Sequence, residues 1–221
     1  MGHGRVERPE QFLTRGRRVV LWRHGQTLWN LENRFQGSTD VALDAAGIEQ
    51  AQRAASLLAG LQPSKIVSSP LQRASATAAA LARLTSLDVS YDDRLRERYG
   101  GSWEGLTDQE IWNRFPAEAG AWQPADGERE PTVGDRVAAS FTDAVEATPA
   151  GATLVLVSHG GAIRCGVGRV LGLPEEFWWR LGPLGNCSWS ILGQASGDGR
   201  GWRLLEHNAG TLPEPVLSDD R

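Results

Sequence analysis

The sequence predicts an α/β protein: a three-layer α/β/α fold with a mostly parallel central sheet. Three observations carry this. Short apolar runs alternate with longer stretches whose apolar residues recur every three or four positions, as in a sheet covered by helices on both faces. Two of the apolar runs, RVVLW (18–22) and TLVLV (153–157), lead within one residue into a histidine-glycine junction. With 221 residues, 40% hydrophobic and 23% charged, the chain has the size and composition of a domain with one sizeable core.

Residues 19–23 read as the first strand. Asp44 opens a helix through 61, in which Ile48, Ala51, Ala55, Leu58 and Leu61 fall on one face. KIVS (65–68) is a second strand, stopped by Ser69-Pro70. A helix dense in alanine covers 71–85, and 88–91 suit a short third strand. Thr107 starts a short helix with Asp108 and Glu110 near its positive end. The run PAEAGAWQPADGEREP (116–131) reads as a loop, and a helix follows over 132–148. The strand over 153–158 is followed by a helix at 162–171, ended by Gly172 and Pro174. Late strands are expected at 188–192 and 202–206. The expected organisation is a flexible arm at 1–17, a single domain at 18–210 and a flexible tail at 211–221. Nine scattered tryptophans suit core or pocket lining.

Composition excludes several functions. The net charge of -4 and the lack of a basic block argue against a nucleic-acid surface. Lys65 is the single lysine among 23 basic residues, a bias toward arginine that fits coding composition. No apolar run reaches the length of a membrane span, and the start lacks the hydrophobic core of a secretory signal. Cys165 and Cys187 lack metal-site spacing and are expected to be reduced, buried thiols in a cytoplasmic protein.

In a parallel sheet, functional loops lie beyond the carboxyl ends of the strands. Arg23-His24-Gly25, Ser68-Ser69-Pro70 with Arg73, and Ser158-His159-Gly160-Gly161 all fall at such ends, and Glu97 sits in a nearby loop. Each residue has a plain structural use. A histidine there can be satisfied within the core, and Glu97 can pair with Arg94 or Arg98. Yet two of only four histidines occupy the same kind of junction, which packing does not explain. An imidazole with one nitrogen unprotonated is a competent nucleophile, arginines grip phosphate oxygens in pairs, and a carboxyl group can protonate a leaving alkoxide. Two histidines and a glutamate could also hold zinc, but an adjacent arginine repels a metal and attracts an anion. Phosphoryl transfer suits the set best.

The same residues resemble the histidine phosphatase superfamily, which includes the cofactor-dependent phosphoglycerate mutases. The resemblance rests on RHGQTLWN (23–30), FQGSTDVALDAAGIEQA (35–51), SSPLQRASATA (68–78), LRERYGGSWEGLT (95–107) and VSHGGAIR (157–164). It implies that His24 is a nucleophile that becomes phosphohistidine. Arg23, Arg73 and His159 would hold the phosphoryl oxygens, and Glu97 would be proton donor and then base. Asn30, Gln36, Gly37 and the Gly160 amide would contact the substrate. No cofactor or metal is implied. Mutases of the family carry a lysine near position 108 and an arginine pair further on; here Asp108 stands in that neighbourhood and only Arg114 and Arg129 are available. The resemblance is therefore to the phosphatase branch. The segments LGPLGNCSWSIL and GWRLLEHNAG (181–192 and 201–210) resemble a subgroup that includes glucosyl-3-phosphoglycerate phosphatases. That implies a helical and loop cap insertion at about 104–135 over a small phosphorylated substrate such as a sugar phosphate. A phosphoglycerate mutase and a non-catalytic phosphate-binding regulator are the alternatives. The expected partners are that substrate and, as an open alternative, a second copy in a homodimer, with neither nucleic acid nor membrane.

Overall fold

The computed structural model describes residues 16–194 and 201–210. The expected tail, and the expected arm up to residue 15, lie outside the described residues. Arg17, at the end of that expected arm, is already tied in: its Nε donates to the Thr148 carbonyl (2.7 Å) and its carbonyl accepts from the Gln194 amide (2.9 Å).

Six strands form one sheet. In chain order they are β1 (Arg18–Arg23), β2 (Lys65–Ser68), β3 (Val89–Tyr91), β4 (Thr153–Ser158), β5 (Trp189–Gln194) and β6 (Trp202–Ala209). Their spatial order is β3-β2-β4-β1-β5-β6. The first four are parallel, while β5 runs antiparallel to β1 and β6 antiparallel to β5. The helices are α1 (Leu28–Leu31), α2 (Ala45–Ala59), α3 (Gln72–Thr85), α4 (Asp108–Arg114), α5 (Pro116–Ala121), α6 (Glu130–Glu146) and α7 (Gly160–Val170). No described helix is long and apolar enough to cross a membrane.

The layers follow from the two-residue period of the strands. Val19, Leu21, Leu154 and Leu156 face α6 and α7, meeting Val133, Val137, Phe141, Ile163 and Trp178. Val20, Trp22, Val155 and Val157 face α2 and α3, whose Ala51, Ala55, Leu58, Ala74 and Ala78 form the other core. Such strands are buried on both sides, which is why β1 and β4 read as unbroken apolar runs. A third cluster of Phe35, Trp103, Ile111 and Ala119, joined by Phe115 and Trp122, lies among α4, α5 and the loops before them.

Several boundaries differ from the sequence reading. Residues 116–121 form α5 where a loop was expected: Pro116 sits in the first turn, where its fixed φ suits a helix and its missing N–H costs nothing. Pro131 plays the same part in α6, which therefore starts at Glu130 rather than at 132. Helix α7 starts at Gly160, two residues earlier than expected, because His159 takes the extended N-cap conformation. Ile48 lies on the apolar stripe read for α2 but is 48% exposed. Strands β5 and β6 each run past their expected ends by two and three residues respectively, since pairing with a neighbour carries them on. Thr27 caps the unexpected α1 in a reciprocal box with Asn30. Cys165 and Cys187 are both buried.

Candidate active site

The register of the two central strands brings the two junctions together. Arg23 lies opposite Ser158, so His24 and His159 leave adjacent parallel strands at the same level. The next bond continues the pairing: the His24 amide donates to the Ser158 carbonyl (3.1 Å). On the other side the His24 carbonyl accepts from the Cys187 amide (3.1 Å) and from Asn186 Nδ2 (3.3 Å). The main chain that carries His24 is thus held from both sides.

Its imidazole is buried, with Nδ1 2.7 Å from the Gly25 carbonyl. A carbonyl only accepts, so Nδ1 bears the hydrogen and Nε2 keeps its lone pair. Burial foremost, then the positive charges of Arg73 and Arg23, holds His24 well below its ordinary pKa, against a smaller upward pull from that hydrogen bond. His24 is a neutral imidazole whose Nε2 carries the lone pair, within the field of two guanidinium groups. The Arg23 side chain is fully buried and its Nη1 donates to the Leu184 carbonyl (2.5 Å).

Gly25 lets two main-chain segments meet. A Cβ there would stand 2.4 Å from the Gly47 carbonyl oxygen, and one on Gly47 would stand 2.0 Å from the Gln26 carbonyl oxygen. The two glycines let the first turn of α2 press directly against the turn that follows His24. Asp44 completes this junction, accepting from the Gly47 amide (2.7 Å) and from Gln26 Nε2 (2.9 Å).

Arg73, in the first turn of α3, is the hub of the pocket. Its Nη1 and Nη2 donate to the carbonyls of Thr39 and Gly37, both at 2.7 Å. Its Nε donates to His159 Nδ1 (3.1 Å), so the hydrogen of that neutral ring is on Nε2, which donates to Ser69 Oγ (2.8 Å). Burial foremost, then Arg73, His24, Arg136 and Arg23, keeps His159 well below its ordinary pKa. The two imidazole rings lie 5.1 Å apart, centre to centre. Both nitrogens of His159 are thereby engaged by the protein, and the ring is fixed between Arg73 and Ser69.

Glu97 pairs with neither arginine suggested for it. Its Oε1 accepts from the amides of Arg98 (2.8 Å) and Ala162 (2.9 Å), and its Oε2 from the amide of Gly161 (3.1 Å). The carboxylate sits on the positive end of α7, one turn from His159. The N-terminal donors that hold it belong to Gly161 and Ala162. Arg94 instead bonds Asp92 and Asp143, each at 2.8 Å. The segment bearing Glu97 is also fixed from α6: Arg136 donates to the carbonyls of Arg94 (2.7 Å), Arg96 (2.6 Å) and Glu97 (3.2 Å) while its other face is held by Glu128.

Asn30 and Gln36 meet at Thr27, whose amide donates to Asn30 Oδ1 (3.2 Å) and whose hydroxyl donates to Gln36 Oε1 (2.9 Å). Asn186 Nδ2 also reaches Asn30 Oδ1 (3.1 Å). Asn30 Nδ2 is buried and has no acceptor among the described residues. Sequence reasoning missed Thr27, Ser69, Glu104, Arg136 and Asn186. Of these, all but Arg136 stood inside quoted motifs and only lacked a partner to give them meaning.

The neutral pair has a consequence for stability. In the unfolded chain both histidines titrate at their ordinary value of 6.5, while the folded state keeps them unprotonated. Below that pH the unfolded chain binds more protons, so stability is full above it and falls as the pH drops. Each group adds a slope of about 1.4 kcal/mol per pH unit. Urea midpoints should fall steeply between about pH 6.5 and 5, where carboxylates are still largely ionised. A midpoint level over that range would contradict the assignment.

Together the fold and the site define an α/β protein in which two buried, neutral histidines leave adjacent parallel strands beside buried Arg23 and Arg73. The model of the histidine phosphatase superfamily (branch 1) matches residues 19–210, and the chain belongs to that family. It is 41% identical over 215 residues to a glucosyl-3-phosphoglycerate phosphatase of Mycolicibacterium vanbaalenii, covering 88% of this chain and 96% of that one. A Salmonella arizonae protein named "Probable phosphoglycerate mutase GpmB" is 38% identical over 177 residues, or 77% of this chain and 81% of that one. Among solved structures, a mycobacterial glucosyl-3-phosphoglycerate phosphatase with VO3 superimposes with a TM-score of 0.83 at 40% identity, covering 88% of this chain and all of that one.

Proposed function

We propose that the protein is a metal-independent phosphomonoesterase working through phospho-His24. The observation that carries this is the neutral, buried His24 with its Nε2 lone pair beside Arg73 and Arg23. Nε2 attacks the phosphorus of a monoester. The bond to the leaving oxygen breaks as Glu97 protonates that oxygen. Water then attacks the phosphohistidine, its proton passes to Glu97, and the P–N bond breaks to release inorganic phosphate and neutral His24. Arg23, Arg73 and the Asn30 amide neutralise and orient the phosphoryl oxygens, which is where catalysis of this kind gains most.

His159 takes a supporting part here: its Nδ1 accepts from Arg73 Nε and so aligns that guanidinium. Gln36, Gly37 and the Gly160 amide complete the binding wall, and residues 104–135 act as a cap. The substrate proposed is a small phosphorylated metabolite of the glucosyl-3-phosphoglycerate type, supported by the names of relatives at about 40% identity. The related mutase is the second reading, and the lack of an arginine pair in 108–131 weighs against it. The proposed setting is cytoplasmic, with buried thiols in keeping.

Labelled p-nitrophenyl phosphate-type donors in the presence of EDTA should leave an acid-labile, alkali-stable label on the protein and release phosphate. In a metabolite panel, glucosyl-3-phosphoglycerate should be hydrolysed faster than 3-phosphoglycerate. If 3-phosphoglycerate with 2,3-bisphosphoglycerate is isomerised faster than phosphate is released, the protein is a mutase.

A further inference from the structure

Arg73 is aimed by carbonyl oxygens of a short loop, so whatever fixes that loop also fixes the guanidinium. Residues 37–39 belong to no helix or strand: Gly37 sits at φ +52, in the left-handed region that favours glycine, and the local main-chain bonds are those of a turn, from the Thr39 amide to the Gln36 carbonyl and from the Val41 amide to the Thr39 carbonyl (both 3.1 Å). Glu104, 65 residues or more away in sequence, ties this turn to the loop before α4. Its Oε1 accepts from the amides of Ser38 (2.7 Å) and Gly100 (3.0 Å), and its Oε2 accepts from the Thr39 hydroxyl (2.5 Å). The absence of a side chain at Gly37 admits the carboxylate, since a Cβ there would overlap Glu104 Oε1.

We propose that Glu104 is a positioning residue for phosphoryl transfer: it sets the loop 37–39, whose two carbonyls aim Arg73 and, through Arg73, His159. The proposal rests on Arg73 being a phosphoryl clamp. The chain of contacts is continuous, from the Glu104 carboxylate to Ser38 and Thr39, then by the Gly37 and Thr39 carbonyls to Nη2 and Nη1, and by Nε to His159 Nδ1. Glu104 itself bonds only groups of the loops, so its influence on chemistry passes through Arg73. A displaced guanidinium costs transition-state contacts steeply, of order 100-fold for a shift of about 1 Å.

The test compares Glu104→Ala, Glu104→Gln, Thr39→Val and Arg73→Ala with the wild type. Readouts are p-nitrophenyl phosphate turnover and orthovanadate affinity by calorimetry. Glu104→Ala should lose about 100-fold in kcat/KM, mostly in kcat, and about 10-fold in vanadate affinity. Glutamine should restore most of this, because its carbonyl still accepts from Ser38 and Gly100 and its amide N–H meets Thr39 Oγ. In the Arg73→Ala background, adding Glu104→Ala should change kcat/KM by less than about 3-fold, the mark of one shared path. Should Glu104→Ala not fold, Thr39→Val decides, with an expected loss of about 5-fold in kcat/KM at unchanged thermal midpoint. Full activity in both Glu104→Ala and Thr39→Val, or effects that multiply in full with Arg73→Ala, would overturn the proposal. A wild type that binds vanadate but turns over no monoester would refute the phosphatase reading instead, and the same vanadate comparison would still decide the role of Glu104.

Discussion

His24→Ala is expected to lose at least about 10⁴-fold in kcat/KM for any phosphomonoester, with no labelled protein intermediate, while remaining folded. The loss should be nearly total because nothing else in the pocket can take the nucleophile's place. His159 has its Nδ1 lone pair committed to Arg73 and its Nε2 hydrogen committed to Ser69. Folding should survive because the main chain of His24 is held through its amide and carbonyl rather than through the ring. The decisive measurement is single-turnover labelling beside steady-state turnover. Label retained in the alanine variant would place the nucleophile elsewhere.

Arg73→Ala and Arg73→Lys should both lose about 10³-fold in kcat/KM. Lysine cannot rescue, because one ammonium cannot reach the Gly37 carbonyl, the Thr39 carbonyl and His159 Nδ1 in the fixed fork that the guanidinium spans. Two buried acceptors and one half-buried one then lack their donor, so the alanine variant should also be less stable by about 3 kcal/mol. Urea unfolding and kinetics separate the two effects. Lysine at wild-type activity would show that charge alone matters at this position.

Much of this site could be read from the chain because β1 and β4 are unbroken apolar runs that release Arg23-His24 and His159 at their ends. Unbroken apolar runs set against stretches with an apolar residue every three or four positions located the layers for the same reason. What could not be read is set by pairing across long separations. Nothing local says that Arg23 stands opposite Ser158, which is the register that brings the two histidines level. Glu97 was picked out as a site residue, but the groups that hold it could not be read, because they are main-chain amides, which every residue except proline possesses. Glu104 and Arg136 act on carbonyls and amides in the same way, so residue type alone could not mark them. Helix α5 was hidden by proline and glycine, whose turn-forming preference outweighs helix propensity on paper but not where Pro116 occupies a first turn.

The contact between Gly25 and Gly47 also says where this enzyme cannot be re-engineered. At both positions an added methyl group would meet main-chain oxygen, which cannot swing aside as a side chain can. The main chain behind His24 is therefore closed to adjustment by side-chain substitution: a larger residue at either glycine would have to move the strand end that carries His24 or the first turn of α2.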